Sequence, residues 1–154
     1  MMDIQVIGIK GNTEFSKIVE HFEGLGGDAV LLDPQMVCGR DHILSAVMHA
    51  ERAFGNGTNR SRTLLTETIL YAAGDRQIGR AMERMRPKEG KGEMVALLFG
   101  IDDPKLDRIG MTRCDEIMEA SQEKAECLGA ELFDGISVED AVLEHVAMTD
   151  LLKQ

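Results

Sequence analysis

The chain alternates between stretches with helical periodicity and short apolar runs. Phe15, Ile18, Val19 and Phe22 fall at i, i+3, i+4 and i+7, which predicts a helix over 14–22 ended by Gly24-Leu25-Gly26-Gly27. Ile43, Leu44, Val47 and Met48 line a helix that Asp41 can cap and that runs through Phe54, with Gly55-Asn56-Gly57 as its stop. Ser61 can cap a third helix ending at Ala73, with Gly74 at its C-terminal stop. Ile78, Ala81, Met82 and Met85 repeat the first spacing just before Pro87. A weaker helical face covers 116–128, and Ser137-Val138-Glu139-Asp140 opens a last helix running to Leu152. Strands are predicted at 4–9, 29–32 and 94–99, with a last short one at 130–133. The sum is a single mixed α/β domain over 1–154: a sheet of about four strands flanked by helices, ending in a C-terminal helix. The strands are too few to decide their order.

Charge changes this picture only when it is split. The total is -10 over 154 residues, which excludes wholesale wrapping by nucleic acid. With no Trp, one Tyr and five Phe, an aromatic platform for single-stranded bases is also excluded. Residues 1–57 carry four bases and eight acids, residues 92–154 five bases and 15 acids, and residues 58–91 eight bases and four acids. One basic segment thus sits in an acidic chain, a distribution that holds a polyanion locally or simply solvates a helix face. Cys38, Cys114 and Cys127 are an odd, widely spaced set, as expected of reduced thiols in a cytoplasmic protein. In that compartment the sequons at Asn56 and Asn59 carry no meaning. The start, Met1-Met2-Asp3-Ile4-Gln5, lacks a leader, and the 94–99 run is far short of a membrane span.

Motifs for catalysis are missing. The chain has no phosphate-binding Gly-x-x-x-x-Gly-Lys-Ser/Thr loop, no Gly-x-Gly-x-x-Gly fingerprint and no Gly-x-Ser-x-Gly elbow. Cys38, His42 and His49 lack metal-ligand spacing and read as structural groups. Asp102-Asp103 and Asp115-Glu116 lack the alternating oxygens of a hard-cation loop. No metal or cofactor is expected. The last helix is the positive feature. Val138, Ala141, Val142, Val146, Met148 and Leu152 share one arc, while Leu143, Ala147 and Leu151 form a second stripe at i, i+4, i+8. One face docks a terminal helix on its own domain; a second apolar stripe needs another cover, from elsewhere in the chain or from another protein.

The stretch from Asn59-Arg60-Ser61-Arg62-Thr63-Leu64-Leu65-Thr66-Glu67 through Gly74-Asp75-Arg76-Gln77-Ile78 to Ala81-Met82 resembles the signature of the small kinase-binding subunit of the KEOPS complex, the PRPK-binding protein family. Asp33-Pro34 ahead of Ile43, Ala46 and Ala50, the 94–99 strand, and Val142-Leu143-x-x-Val146-Ala147 before Asp150-Leu151 agree in order and spacing. The resemblance covers most of the chain and is weakest over 104–135. It implies a non-enzymatic cytoplasmic subunit, monomeric outside the complex, in tRNA threonylcarbamoyladenosine modification. The subunit would bind a PRPK-like atypical kinase that acts as an ATPase, and help hold tRNA by its 3′ CCA end. Carried over by residue, the RNA contacts are Arg60, Arg62, Arg76 and Arg80, with Gly74, Gln77 and Ile78 forming a turn whose exposed backbone N–H groups receive the terminal nucleotides. Lys88 and Lys91 are further candidates on a loop. Glu67 reads as structural. The kinase-facing set is Val142, Leu143, Val146, Ala147, Asp150 and Leu151. Two other readings stay open: a small enzyme or ligand-binding protein for a phosphorylated or nucleotide ligand near Gly74–Arg80, and a scaffold that self-associates through the last helix.

Overall fold

A computed structural model describes residues 3–153; Met1, Met2 and Gln154, and with them the expectation placed on the first residues, lie outside that range. Its packing forms two compact units, Met1–Pro34 with Pro87–Met118, and Gln35–Arg86 with Glu119–Gln154. The architecture is mixed α/β, with an antiparallel sheet of four strands and six α-helices among the described residues.

The first unit holds the sheet, in the order β2-β3-β1-β4, where β1 is Ile4–Lys10, β2 Asp28–Leu32, β3 Glu93–Phe99 and β4 Thr112–Arg113. β3 lies between β1 (Ile4 opposite Phe99) and β2 (Asp28 opposite Phe99). Its side chains from Met94 to Phe99 are buried on both faces, which explains the unbroken apolar run there. The residues of one face, Met94, Ala96 and Leu98, join Ile7, Ile9 and Leu31 against Ile18 and Phe22 of α1 (Phe15–Gly24). Gly8 is needed where it stands. Its N–H donates to Asp115 Oδ1 at 3.0 Å and its carbonyl accepts from Cys114 N at 2.8 Å, so a Cβ would strike the Cys114 carbonyl.

The second unit is helical. It contains α2 (Arg40–Asn56), α3 (Leu64–Ala73), α4 (Ile78–Met85), α5 (Gln122–Leu128) and α6 (Val138–Leu152). α3 is its centre: every residue from Glu67 to Ala73 is buried, and α2, α4 and α6 all pack on it. That placement explains why α3 is apolar nearly all round.

Four expectations are corrected. The fourth strand is Thr112–Arg113, whose two exposed residues carry no detectable period, and 130–133 is not a strand. Gly129 closes α5 in the left-handed conformation, and although buried Ala130 and half-buried Leu132 alternate with exposed Glu131 and Phe133, the segment joins no strand of the sheet. The helix expected over 116–128 is broken into a 3-10 turn, Asp115–Met118, and α5, because Ser121 caps α5 by accepting from Lys124 N at 3.2 Å. Thr63, not Ser61, caps α3, its Oγ1 accepting from Thr66 N at 3.2 Å, while Ser61 N is taken by Glu67. Gly39, not Asp41, is the N-cap residue of α2.

His42 supplies the acceptor at that helix start. Its Nδ1 accepts from Cys38 N at 3.0 Å, so Nε2 carries the proton and donates to Ala72 O at 2.8 Å. Burial holds the ring neutral, lowering its pKa to about 4. The sign follows from linkage: the unfolded ring gains a proton below pH 6.5 and the native ring does not, so stability falls as pH drops from 6.5 to about 4. The loss from this group is about 3 kcal/mol at the acid end. Urea titrations across that window should show the slope, and His42→Gln should flatten it; an unchanged slope would contradict the assignment.

Candidate functional site

α6 begins where Ser137 Oγ accepts from Asp140 N at 3.1 Å, the cap expected from the sequence. Ala141, Val142, Val146 and Thr149 are its buried residues and join it to the unit. Val142 and Val146, both 0% exposed, therefore belong to the core, which corrects their assignment to a partner-facing set. The outer side runs from half-buried Leu143 through exposed Ala147 to Leu151, which is 58% exposed. Met148 and Leu152, placed on the docking arc by period alone, are 49% and 43% exposed and extend this outer surface. Exposed acids Glu139, Asp140, Glu144 and Asp150 flank it. Large apolar side chains clustered on one helix with a charged rim have the composition of a protein-docking surface.

The end of α6 is bolted into the unit by a buried polar network. Glu67, 0% exposed, accepts from Lys153 Nζ at 2.5 Å and from the backbone N–H groups of Arg60 at 3.1 Å and Ser61 at 2.9 Å. Burial pushes the Glu67 pKa up, but the bonds from Lys153 and Ser61 outweigh it and the net shift is down. Lys153 Nζ also donates to the Tyr71 hydroxyl at 3.0 Å and lies 4.6 Å from the centre of the Tyr71 ring. Tyr71 OH donates to Asp150 Oδ1, and His49 stacks on the Tyr71 ring with its Nδ1 3.4 Å from Asp150 Oδ2. Asp150, read as a partner contact, is thus also an internal anchor. The structural reading of Glu67 agrees with its position, whereas its partner Lys153 was missed. A carboxylate in an otherwise apolar helix was the available signal, since such a group needs a cation nearby.

The basic residues differ in how free their charges are. Arg62 and Arg76 are exposed and carry no ion pair among the described residues. Arg60 is exposed, and its Nη2 donates to the Lys153 carbonyl. Arg80 is committed: its Nε and Nη2 donate to buried Asp75 at 2.5 and 2.6 Å. That bidentate pairing is the main cause of an Asp75 pKa lowered to about 2. Arg84, not singled out by the sequence, lies 3.5 Å from Asp75 and donates to Cys127 O and Leu128 O at 3.0 and 3.1 Å, at the C-terminus of α5. Lys88 and Lys91 are exposed in the sheet-containing unit, Lys88 lying 3.7 Å from Asp33.

The turn after α3 also differs from expectation. Gly74 is buried at φ 66°, and a Cβ there would collide with the His145 ring of α6. Its N–H bonds Tyr71 O at 3.0 Å, Asp75 N–H bonds Leu70 O at 3.2 Å, and Gln77 N–H bonds Asp75 Oδ1 at 3.0 Å. These donors close the helix end and brace the turn, so the exposed N–H groups expected at Gly74 and Gln77 are absent. What the turn presents outward is the side chains of Arg76 and Gln77, with Ile78 half-buried. Among the described residues no group of three or more His, Cys, Asp or Glu forms a metal cluster, and no helix is long and apolar enough to cross a membrane.

Comparison with known proteins bears on these two surfaces. Over 72 residues the chain is 33% identical to the KEOPS complex subunit Cgi121 of Pyrococcus abyssi (strain GE5 / Orsay), a match covering 46% of this chain and 41% of that protein. The chain therefore spans under half the length of this curated relative in the match. The family model described as Kinase binding protein CGI-121 matches residues 13–150, from the loop before α1 to Asp150 near the end of α6. The match takes in the α3 signature and α6 as far as Asp150, with Leu143, Ala147 and Met148 of its outer side, and the chain belongs to the CGI-121 kinase-binding protein family.

Proposed function

We propose that the chain, acting as one functional unit over 1–154, is a non-catalytic subunit of the KEOPS tRNA-modification complex in the cytoplasm. It grips the complex's small atypical kinase and helps recruit tRNA by the 3′ CCA end. The observation that carries this reading is the exposed apolar side of α6, Leu143, Ala147, Met148, Leu151 and Leu152, in a chain of a kinase-binding family. Its acidic rim fits a kinase surface that is apolar at the centre and basic at the edge.

RNA contact is assigned to the loops at the two ends of α3. Arg60 and Arg62 precede the helix, Arg76 and Gln77 follow it, and Arg62 and Arg76 offer uncommitted charge for phosphates. Arg80 serves in this reading by holding Asp75 and hence the turn. Charge reversal at Arg80 would place a carboxylate beside buried Asp75 and test folding rather than binding.

The double variant Arg62→Glu/Arg76→Glu is expected to weaken tRNA binding at least about tenfold and to flatten the salt dependence by about two units of log–log slope. Kinase binding and thermal stability should stay unchanged, and tRNA trimmed of its CCA should bind native protein more weakly. Equal tRNA affinity and slope in variant and native protein would refute the RNA assignment.

A further inference from the structure

The helix that carries the apolar stripe also shapes one of the basic loops. Glu67 sets the Asn59–Arg62 loop by accepting the N–H groups of Arg60 and Ser61, and its charge is balanced by Lys153, the residue that closes α6. Arg60 is held twice, by its N–H on Glu67 and by its guanidinium on the Lys153 carbonyl. Lys153 keeps this position only while the last turn of α6 is formed, through its N–H on Thr149 O at 3.0 Å. The two residues before it, Leu151 and Leu152, are exposed, so nothing among the described residues clamps the outer side of that turn. The turn is therefore held from its inner side alone, by buried Thr149 and Lys153 and by Asp150 on Tyr71, and a helix end held on one side opens before the helix interior does.

We propose that the Lys153–Glu67 pair is a tie through which α6 positions the Asn59–Arg62 loop, so that a protein bound on the outer side of α6 and an RNA bound on the loop strengthen one another. The inference rests on the kinase and tRNA reading above. The two-state element is the last turn of α6. A partner covering Leu151 and Leu152 favours the formed state, which seats Lys153 on Glu67 and fixes Arg60 and Arg62. By linkage, RNA held by the fixed loop raises the affinity for the partner by the same factor. Lys153 and Glu67 are buried and touch neither ligand; they are positioning residues.

The test measures tRNA affinity by fluorescence anisotropy for the full chain alone, for the kinase alone, and for the chain saturated with kinase. The native chain is expected to gain about tenfold on kinase binding beyond the kinase's own contribution. Glu67→Gln/Lys153→Met removes the ionic tie while the amide oxygen still accepts from Arg60 and Ser61 N–H. It should bind kinase normally and tRNA within about twofold of native when alone, with the kinase-dependent gain cut to about threefold or less. A gain retained in the variant, or absent in the native chain, overturns the tie. Hydrogen exchange on the native chain adds a readout independent of any variant. tRNA should slow exchange of the Leu151, Leu152 and Lys153 amides, and unchanged exchange with tRNA bound would overturn the proposal. Failure of the native chain to bind tRNA at all would sink the RNA reading itself, and with it the tie; a bound but uncoupled tRNA sinks the tie alone.

Discussion

Lys153→Ala is expected to destabilise the protein by about 3–5 kcal/mol, because it leaves a buried carboxylate without its cation. Glu67 is 0% exposed, and its remaining partners are two backbone N–H groups. Glu67→Ala should be of similar severity, stranding the Lys153 ammonium and both N–H groups. The double change Glu67→Gln/Lys153→Met removes both charges together and is expected to cost far less than either single change. That non-additivity is the signature of a buried pair. Urea unfolding of the four proteins measures it. Additive single losses, or a Lys153→Ala loss below about 1 kcal/mol, would contradict a buried ion pair. The acid side follows the same logic. The Glu67 pKa is lowered in the native state, so its contribution is present above pH 4.5 and fades as pH falls through the native value. That window opens at the acid end of the one in which His42 acts.

Leu151→Asp is expected to weaken kinase binding by about 30-fold or more, the scale of a central interface residue, while changing stability by no more than about 0.5 kcal/mol. The exposure of Leu151, 58%, sets both halves of this expectation. Val146→Asp, one turn back on the opposite side, should do the reverse and unfold the helical unit, because the site is 0% exposed. Titration calorimetry with the kinase, paired with thermal unfolding, separates the two faces. Loss of stability in Leu151→Asp would mean that the outer stripe is core.

Much of this arrangement was legible in the residues, and the misses have identifiable causes. The face of Phe15, Ile18, Val19 and Phe22 gave α1, and the apolar run of β3 marked a strand covered on both sides. The α3 stretch marked the family because Thr63, Glu67 and Gly74 each serve a fixed local purpose: cap, loop anchor and left-handed stop. Period alone did not decide which stripe of α6 faces inward. Both stripes are apolar, and the choice depends on what α2, α3 and α5 present to the helix. The same gap misplaced Val142 and Val146. β4 escaped notice because two exposed residues carry no pattern, and its pairing, Ile9 opposite Arg113, is set by β1. Arg80 looked available because charge counts ignore partners; Asp75, five residues earlier, takes its guanidinium. The Gly74 turn looked like a donor cluster because glycine permits an exposed backbone, yet the three N–H groups of Gly74, Asp75 and Gln77 are used to close α3 and brace the turn.

The central claim is an adaptor that holds a kinase by the outer side of α6. Titration of the native chain and of Leu151→Asp against the purified atypical kinase, with no tRNA present, tests it most directly. The account predicts saturable one-to-one binding by the native chain and a loss of at least about 30-fold in the variant, with both proteins equally folded. No binding by the native chain, or equal affinity in the two, would contradict it.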